Sequence, residues 1–311
     1  MEKIEYKGWP NCYRLSNGIV DVIVTTDIGP RIIRFGFVDE ANEFKEYAEM
    51  IGKTGGDEWR IYGGHRLWHA PESDPRTYFP DNAPVAHSHQ EQSGVLHVSQ
   101  IVEPTTGIKK DMDIRLTPNV AHMRVTHHLS NQSLWPIELA PWSLSVMAQG
   151  GTAILPLPPR GTHPEMLQPT STITLWAFTD MTDARWNWGA KYILLRQDNN
   201  VAKPQKVGAL VKDGWAAYAR DNHLFVKLFR YQESQYPDLG SVVETFTNDE
   251  MLELETLGPV QNLAPGAGAA PHIEDWFLFR DVPMPHNDAD VERDVLPRVL
   301  QARDLQPPFD A

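Results

Sequence analysis

From Gly18 to Phe37 the chain reads GIVDVIVTTDIGPRIIRFGF, alternating β-branched with polar residues and breaking at Gly29-Pro30, which predicts two strands joined by a turn. Further on, VLHVSQIVE, GIKKDMDIRLT and VAHMRVTHHLSN are separated by turn residues at 104–107 and 117–119, the pattern of an antiparallel meander. Short apolar runs bounded by Gly, Pro, Asp and Asn then continue through IELAPWSLSVM, GTAILPLP, TITLWAFT, KYILLRQ, QKVGALV, WAAYA, HLFVKLFRY, VVETFTN, MLELETLG and IEDWFLF. No long 3.6-residue period competes with them until Val291, Val295 and Val299, spaced i, i+4, i+8, predict a short C-terminal helix over about 286–303, interrupted by Pro297. Residues 41–92, rich in Gly, Pro, Asp and His, read as one irregular segment. The expectation is an all-β chain forming a single antiparallel domain over 1–311, its core at about 18–281. The lack of a blade-length repeat favours a layered sandwich over a propeller.

Composition narrows the function classes. The 311 residues are 41% hydrophobic, enough for a large core, and no window approaches the run of about 18 apolar residues that a membrane span needs. The first residues, MEKIEYKGWP, carry no apolar signal stretch, and a single Cys12 excludes an internal disulfide framework, so a cytoplasmic protein is expected. With a net charge of −13 and no basic run longer than a pair, nucleic acid is not expected as a partner, nor is a membrane; the oligomeric state stays open. Ten Trp, nine Tyr and eleven Phe suit stacking on sugars, and equally suit an ordinary sandwich core.

Candidate chemistry concentrates in the irregular segment, where GGHRLWHAPE (63–72) is followed by Arg76, Tyr78, Asp81, Asn82, His87 and His89. Long irregular segments inside a compact domain are commonly functional. The alternative is a packed covering loop whose histidines satisfy backbone carbonyls. His65 and His69 would share a face on a helix, and His87 and His89 a face on a strand, as metal ligands can. Against a metal, Arg66 stands where a helix-borne zinc motif needs glutamate, and Pro71 limits any helix, so no metal is expected. There is no Gly-x-Ser-x-Gly, Cys12 has no nucleophile motif around it, and the glycine pairs lack the strand-to-helix setting of phosphate loops; no cofactor is expected. If 251–257 is a strand, Glu253 and Glu255 share one face with Met251, while Leu252, Leu254 and Thr256 take the other. Such acids either meet solvent or line a cleft, and Glu244 and Glu274 are candidates for the same surface.

The order of GGHRLWHAP, PVAH (84–87), LAPWSLSVM, LET (254–256), LAPG and HIEDWFLF resembles the aldose 1-epimerase, or galactose mutarotase-like, superfamily over about 22–280. GGHRLWHAPE, APWSLSVMAQGG and LELETLGP are similar to a bacterial branch of it known as a domain of unknown function. The resemblance implies a galactose mutarotase-like β-supersandwich of large antiparallel sheets, with a carbohydrate cleft on its concave face. It also implies a glutamate that takes the proton of the anomeric hydroxyl and a histidine that protonates the ring oxygen. Carried over by motif, the glutamate falls on Glu255 and the histidine after Pro-x-Ala on His87. The chain departs from the pattern at Ala140, where the family carries a second histidine before its proline-aromatic pair. Either His87, His65 or His69 fills that role, or the cleft remains and the reaction is lost or changed. Arg31, Arg34 and Arg66 are candidates for holding hydroxyls or a carboxylate, and Trp68 and Trp142 for stacking on a pyranose; Glu72, Glu253 and His69 complete the expected substrate-binding set.

The expected function is therefore that of an aldose epimerase-like enzyme acting on a sugar, with Glu255 as base and His65 or His87 as acid. One alternative is a noncatalytic carbohydrate-binding or sensing module, and a second is an oligosaccharide lyase or hydrolase on the same fold.

Overall fold

The computed structural model describes residues 1–309, and among them nearly all regular structure is antiparallel β, arranged in two sheets. The larger sheet has eleven strands. From one edge they run Glu2–Tyr6, Trp9–Ser16, Val20–Thr25, Arg31–Phe37, Gly64–Ala70, Ile137–Met147, Leu252–Leu257, Val243–Thr247, Gln205–Ala209 and Ile173–Leu175, with Gln261–Leu263 paired to the start of Ile137–Met147. The smaller sheet has ten: Trp186–Trp188, Tyr192–Arg196, Thr152–Pro156, Trp215–Arg220, His223–Phe229, His272–Phe279, His122–Asn131, Ile108–Leu116, Val95–Ser99 and Ala86–Gln90.

Period-two alternation decides which residues fill the space between the sheets. Val22, Val24, Ile32, Phe35, Leu67, Leu252 and Leu254 from the larger sheet meet Val98, Met112, Ile114, Phe225 and Trp276 from the smaller one in one buried cluster. Phe35 and Phe44 pack edge-on against Phe225 at 5.9 and 6.0 Å between centroids. Each such side chain contributes roughly 1.5–3 kcal/mol on burial. The predicted alternation at 252–257 holds: Leu252, Leu254 and Thr256 turn inward, Glu253 and Glu255 outward.

The predicted C-terminal helix is present and covers the outer face of the smaller sheet. Its final segment is Leu296–Leu305, preceded by a π-turn at Val291–Val295, and Val291, Val295, Val299 and Ala302 pack on Ile154, Trp215, Val226 and Phe277. Pro297 sits in the first turn of Leu296–Leu305, directly after the π-turn, and the helical run continues through it. The ordered structure begins before residue 18, because Glu2–Tyr6 and Trp9–Ser16 add two paired strands ahead of the expected core.

The segment 41–92 is a correction to the sequence reading. It contains two strands, and one of them, Gly64–Ala70, lies in the middle of the larger sheet with all seven residues buried. A strand that carries histidines on one face and arginine and tryptophan on the other hides the hydrophobic alternation that marks strands. Its entry depends on Gly63 and Gly64, both at positive φ, where a Cβ would run into the carbonyl oxygens of Lys45 and Ile32. Part of the segment folds over the outer face of the larger sheet, bringing Trp59 and Tyr78 onto the cluster of Trp68 and Trp142.

Candidate functional site

Along that outer face, Gly64–Ala70 pairs with Ile137–Met147 so that Trp68 lies opposite Trp142 and Arg66 opposite Leu144. Leu144 lies in turn opposite Glu255, Val146 opposite Glu253, and Glu255 opposite Glu244. The register thus lines up arginine, aromatics and three glutamates across four strands. The Arg66 guanidinium stacks on Trp68 at 4.4 Å and donates from Nη2 to Glu253 Oε1 at 2.8 Å. Trp68 packs in turn against Trp59, Tyr78 and Trp142, with centroids 5.4, 5.0 and 5.4 Å apart. Beside this floor opens a cleft of about 370 Å³ walled by Glu72, Ser73, Asp74, Tyr78, Trp142, Trp176, Lys206, Asp238 and Glu244.

Lys206 joins the two central acids. Its Nζ lies 2.9 Å from Glu244 Oε2 and 3.3 Å from Glu255 Oε2, and 4.8 and 4.6 Å from the Trp142 and Trp176 ring centroids. Burial alone would lower the lysine, but Glu255 and Glu244 more than reverse it, so the ammonium stays charged. Both glutamates are fully buried, and desolvation raises both of them, Glu244 the further, with Lys206 offsetting only part. Glu255 Oε2 also accepts from Trp142 Nε1 at 2.7 Å, whereas Glu255 Oε1 and both Glu244 oxygens accept no directed hydrogen bond within the protein. The Nε and Nη1 of Arg66 and the Nε1 of Trp59 are buried donors without protein partners on the same face. Unpaired donors and acceptors over aromatic rings suit a polyhydroxylated ligand.

The histidines are placed elsewhere. His65 and His69 lie on a strand rather than a helix and point between the sheets, with Leu67, away from the cleft. His65 Nδ1 lies 2.8 Å from Ser145 Oγ, and its Nε2 lies 2.7 Å from His127 Nε2. Burial holds His65 well below the ordinary histidine range and His127 at about 3. His69 is likewise buried and depressed, and neither ring nitrogen has a protein partner. His87 is exposed on the edge strand of the smaller sheet, its Nε2 2.7 Å from the Tyr13 hydroxyl, and is not part of the cleft wall.

Of the expected set, Arg66, Trp68, Glu72, Trp142, Glu253 and Glu255 come together on the outer face. The candidate arginines divide. Arg31 is fully buried against Asp81 at 2.8 Å and donates to the carbonyls of Ile61 and Gly63, tying down the loop. Arg34 pairs with Asp21 at 2.9 Å. Glu274 lies on the smaller sheet and faces the interior, accepting from Ser143, Thr256, Lys227 and, through Oε2, Trp276 Nε1. Its oxygens and the His65 and His127 nitrogens fall within 4.8 Å of one another, a spacing that a metal ion can bridge. The Lys227 ammonium, 3.0 Å from Glu274, already fills the cationic role there. Sequence reading left out Lys206, Asp238 and Trp176, although QKVGALV, read as a strand, puts Lys206 and Gly208 on one face and Val207 and Ala209 on the other.

Two other cavities lack this combination of groups. One of about 290 Å³ is walled by Pro141, Gln232, Gly258 and His272 among others, and one of about 840 Å³ by Arg76, Phe79, Pro104 and Ile137 among others. No known sequence family and no curated protein matches the chain. Solved structures do. A protein of Synechocystis sp. PCC 6803 is similar at TM-score 0.60 and 10% identity, over 90% of this chain and 100% of that one. A galactose mutarotase related enzyme from Lactobacillus acidophilus is similar at 0.54 and 9%, over 88% and 99%. A galactose mutarotase-like protein from Lactobacillus casei is similar at 0.51 and 11%, over 86% and 100%. The fold is galactose mutarotase-like.

Proposed function

We propose that this chain is a carbohydrate-active protein of aldose epimerase type, binding a sugar in the cleft beside Trp142 and opening its ring by proton transfer at the anomeric carbon. The observation that carries this reading is Glu255: fully buried, one oxygen held by Trp142 and Lys206, the other without a protein partner, on the aromatic face. A carboxylate whose pKa burial raises is suited to take a proton from a hydroxyl near neutral pH. The aromatic walls Trp142, Trp176 and Tyr78 supply flat apolar surface for the faces of a pyranose. A cytoplasmic setting belongs to the same reading.

Anomeric exchange of unsubstituted aldoses, followed by NMR saturation transfer, tests it. Wild-type protein is expected to accelerate exchange of at least one aldose, and Glu255→Gln to lower the rate by roughly 10²–10⁴-fold. A second reading, noncatalytic sugar binding, is favoured by Ala140, which faces Ala70 where the resemblance places a histidine. It predicts saturable binding without exchange, in wild type and variant alike.

A further inference from the structure

With the histidines turned away, epimerase chemistry at this cleft lacks an acid. We infer that Glu244 fills that place, donating a proton to the ring oxygen of the sugar while Glu255 accepts one from the anomeric hydroxyl. This rests on the function proposed above and assigns the half of the reaction left open by Ala140.

Glu244 is the one of the two glutamates that forms part of the cleft wall. It stands directly across the strand pair from Glu255, and the shared Lys206 contacts hold the two carboxylates within about 6 Å of each other. The anomeric and ring oxygens of a pyranose are bonded to the same carbon, so a donor and an acceptor this close can serve both. Opposed carboxylates in a dry site beside a single ammonium do not both ionise; they share a proton. The charged form of Glu255 has the Trp142 Nε1 donor as well as Lys206, whereas Glu244 has Lys206 alone, so the proton resides on Glu244. The other charges bearing on the pair are Asp238 beside Glu244, Glu253 and Arg66 beside Glu255, and the interior ammonium of Lys227, which also interacts with Glu255.

The step balances without a cofactor. Glu255 takes the O1 proton, the O1–H electron pair becomes the second C1–O1 bond, the C1–O5 bond breaks with its pair moving to O5, and Glu244 protonates O5. After rotation about C1–C2, the reverse transfers close the ring on the other face and restore both carboxyl groups.

The test compares wild type, Glu244→Gln, Glu244→Asp and His87→Ala by saturation transfer across pH, with sugar binding followed by tryptophan fluorescence. Glu244→Gln is expected to lose at least about 10²-fold in rate with binding kept within about threefold, because a neutral amide copies the shape of the acid but cannot give up its proton. Wild type is expected to lose rate at alkaline pH, where Glu244 ionises, and Glu244→Asp to move that limb. His87→Ala is expected to match wild type. Exchange by Glu244→Gln within about threefold of wild type overturns the assignment. So does a wild-type rate and an unmoved alkaline limb in Glu244→Asp, the deciding variant if Glu244→Gln does not fold. If wild type binds sugar but accelerates no exchange, the epimerase reading itself fails and the acid role falls with it.

Discussion

A histidine buried between two sheets must stay neutral, and that requirement couples stability to pH. His272 is held at about 4 and His127 at about 3, in both cases first by burial, against about 6.5 in an unfolded chain. The unfolded state therefore takes up protons that the folded state refuses. The stability from these rings is fully present above about pH 6.5 and is lost as pH falls through the folded values. For His272 the shift corresponds to about 3 kcal/mol at about 1.4 kcal/mol per unit. Glu244, raised by burial, has the opposite sign and costs stability as pH rises above the ordinary carboxylate range. Urea unfolding of wild type and His272→Gln at pH 7 and pH 4.5 isolates the histidine: wild type is expected to lose more stability on acidification, and parallel losses would refute the assignment. Lys227→Met leaves Glu274 buried without its cation, which is expected to cost about 3–5 kcal/mol in the same assay. Of this cluster the sequence reading singled out only His65 and Glu274, and the fold alone brought them together with His127, His272 and Lys227. His65 and Arg66 are neighbours in the chain, yet one reaches the interior and the other the cleft, because successive strand residues point to opposite faces.

Individual elements were legible wherever hydrophobic and polar positions alternated. The strands around 20–37, 95–131 and 252–279 and the valine-spaced helix fall where the pattern puts them. Glu2–Tyr6 and Trp9–Ser16 were missed, as was Gly64–Ala70, which buries two histidines and an ion-paired arginine among its apolar residues. What sets that last strand is its glycine entry. Gly64 at φ +70° lies against the Ile32 carbonyl, so Gly64→Ala places a Cβ in an occupied position and a left-handed conformation together. The conformation alone costs about 1–2 kcal/mol. The midpoint of urea unfolding is expected to drop by at least that amount with little change in slope, and cleft binding to weaken as Arg66 and Trp68 shift. A variant as stable as wild type would show that the entry turn is not what holds the strand.

The fold class was readable from the whole chain because many short period-two segments without a long helical run leave few architectures open. The chemistry of the site was only half readable, since Lys206, Glu244 and Glu255 are brought together by strand pairing across about 50 residues of sequence separation. Charge at the scale of the whole molecule then limits the ligand. The chain carries −13 overall, and the cleft wall presents Glu72, Asp74, Asp238 and Glu244 against Lys206, itself already committed to two carboxylates. Even with Glu244 protonated, an incoming anion meets a negative rim and finds no uncommitted cation in the wall among the described residues. Uronic acids and 6-phosphorylated aldoses are therefore expected to bind at least about tenfold more weakly than the matching neutral sugars, and 2-amino sugars at least as tightly as the neutral ones. Because rim charges act through solvent, the anionic penalty is expected to shrink between about 20 mM and about 500 mM salt as the Debye length falls from about 20 Å to about 4 Å. Competition titrations at both salt concentrations decide it: tighter binding of a phosphorylated sugar at low salt would mean that Lys206 is available to the ligand, and the charge-sharing arrangement with Glu244 and Glu255 would have to be abandoned.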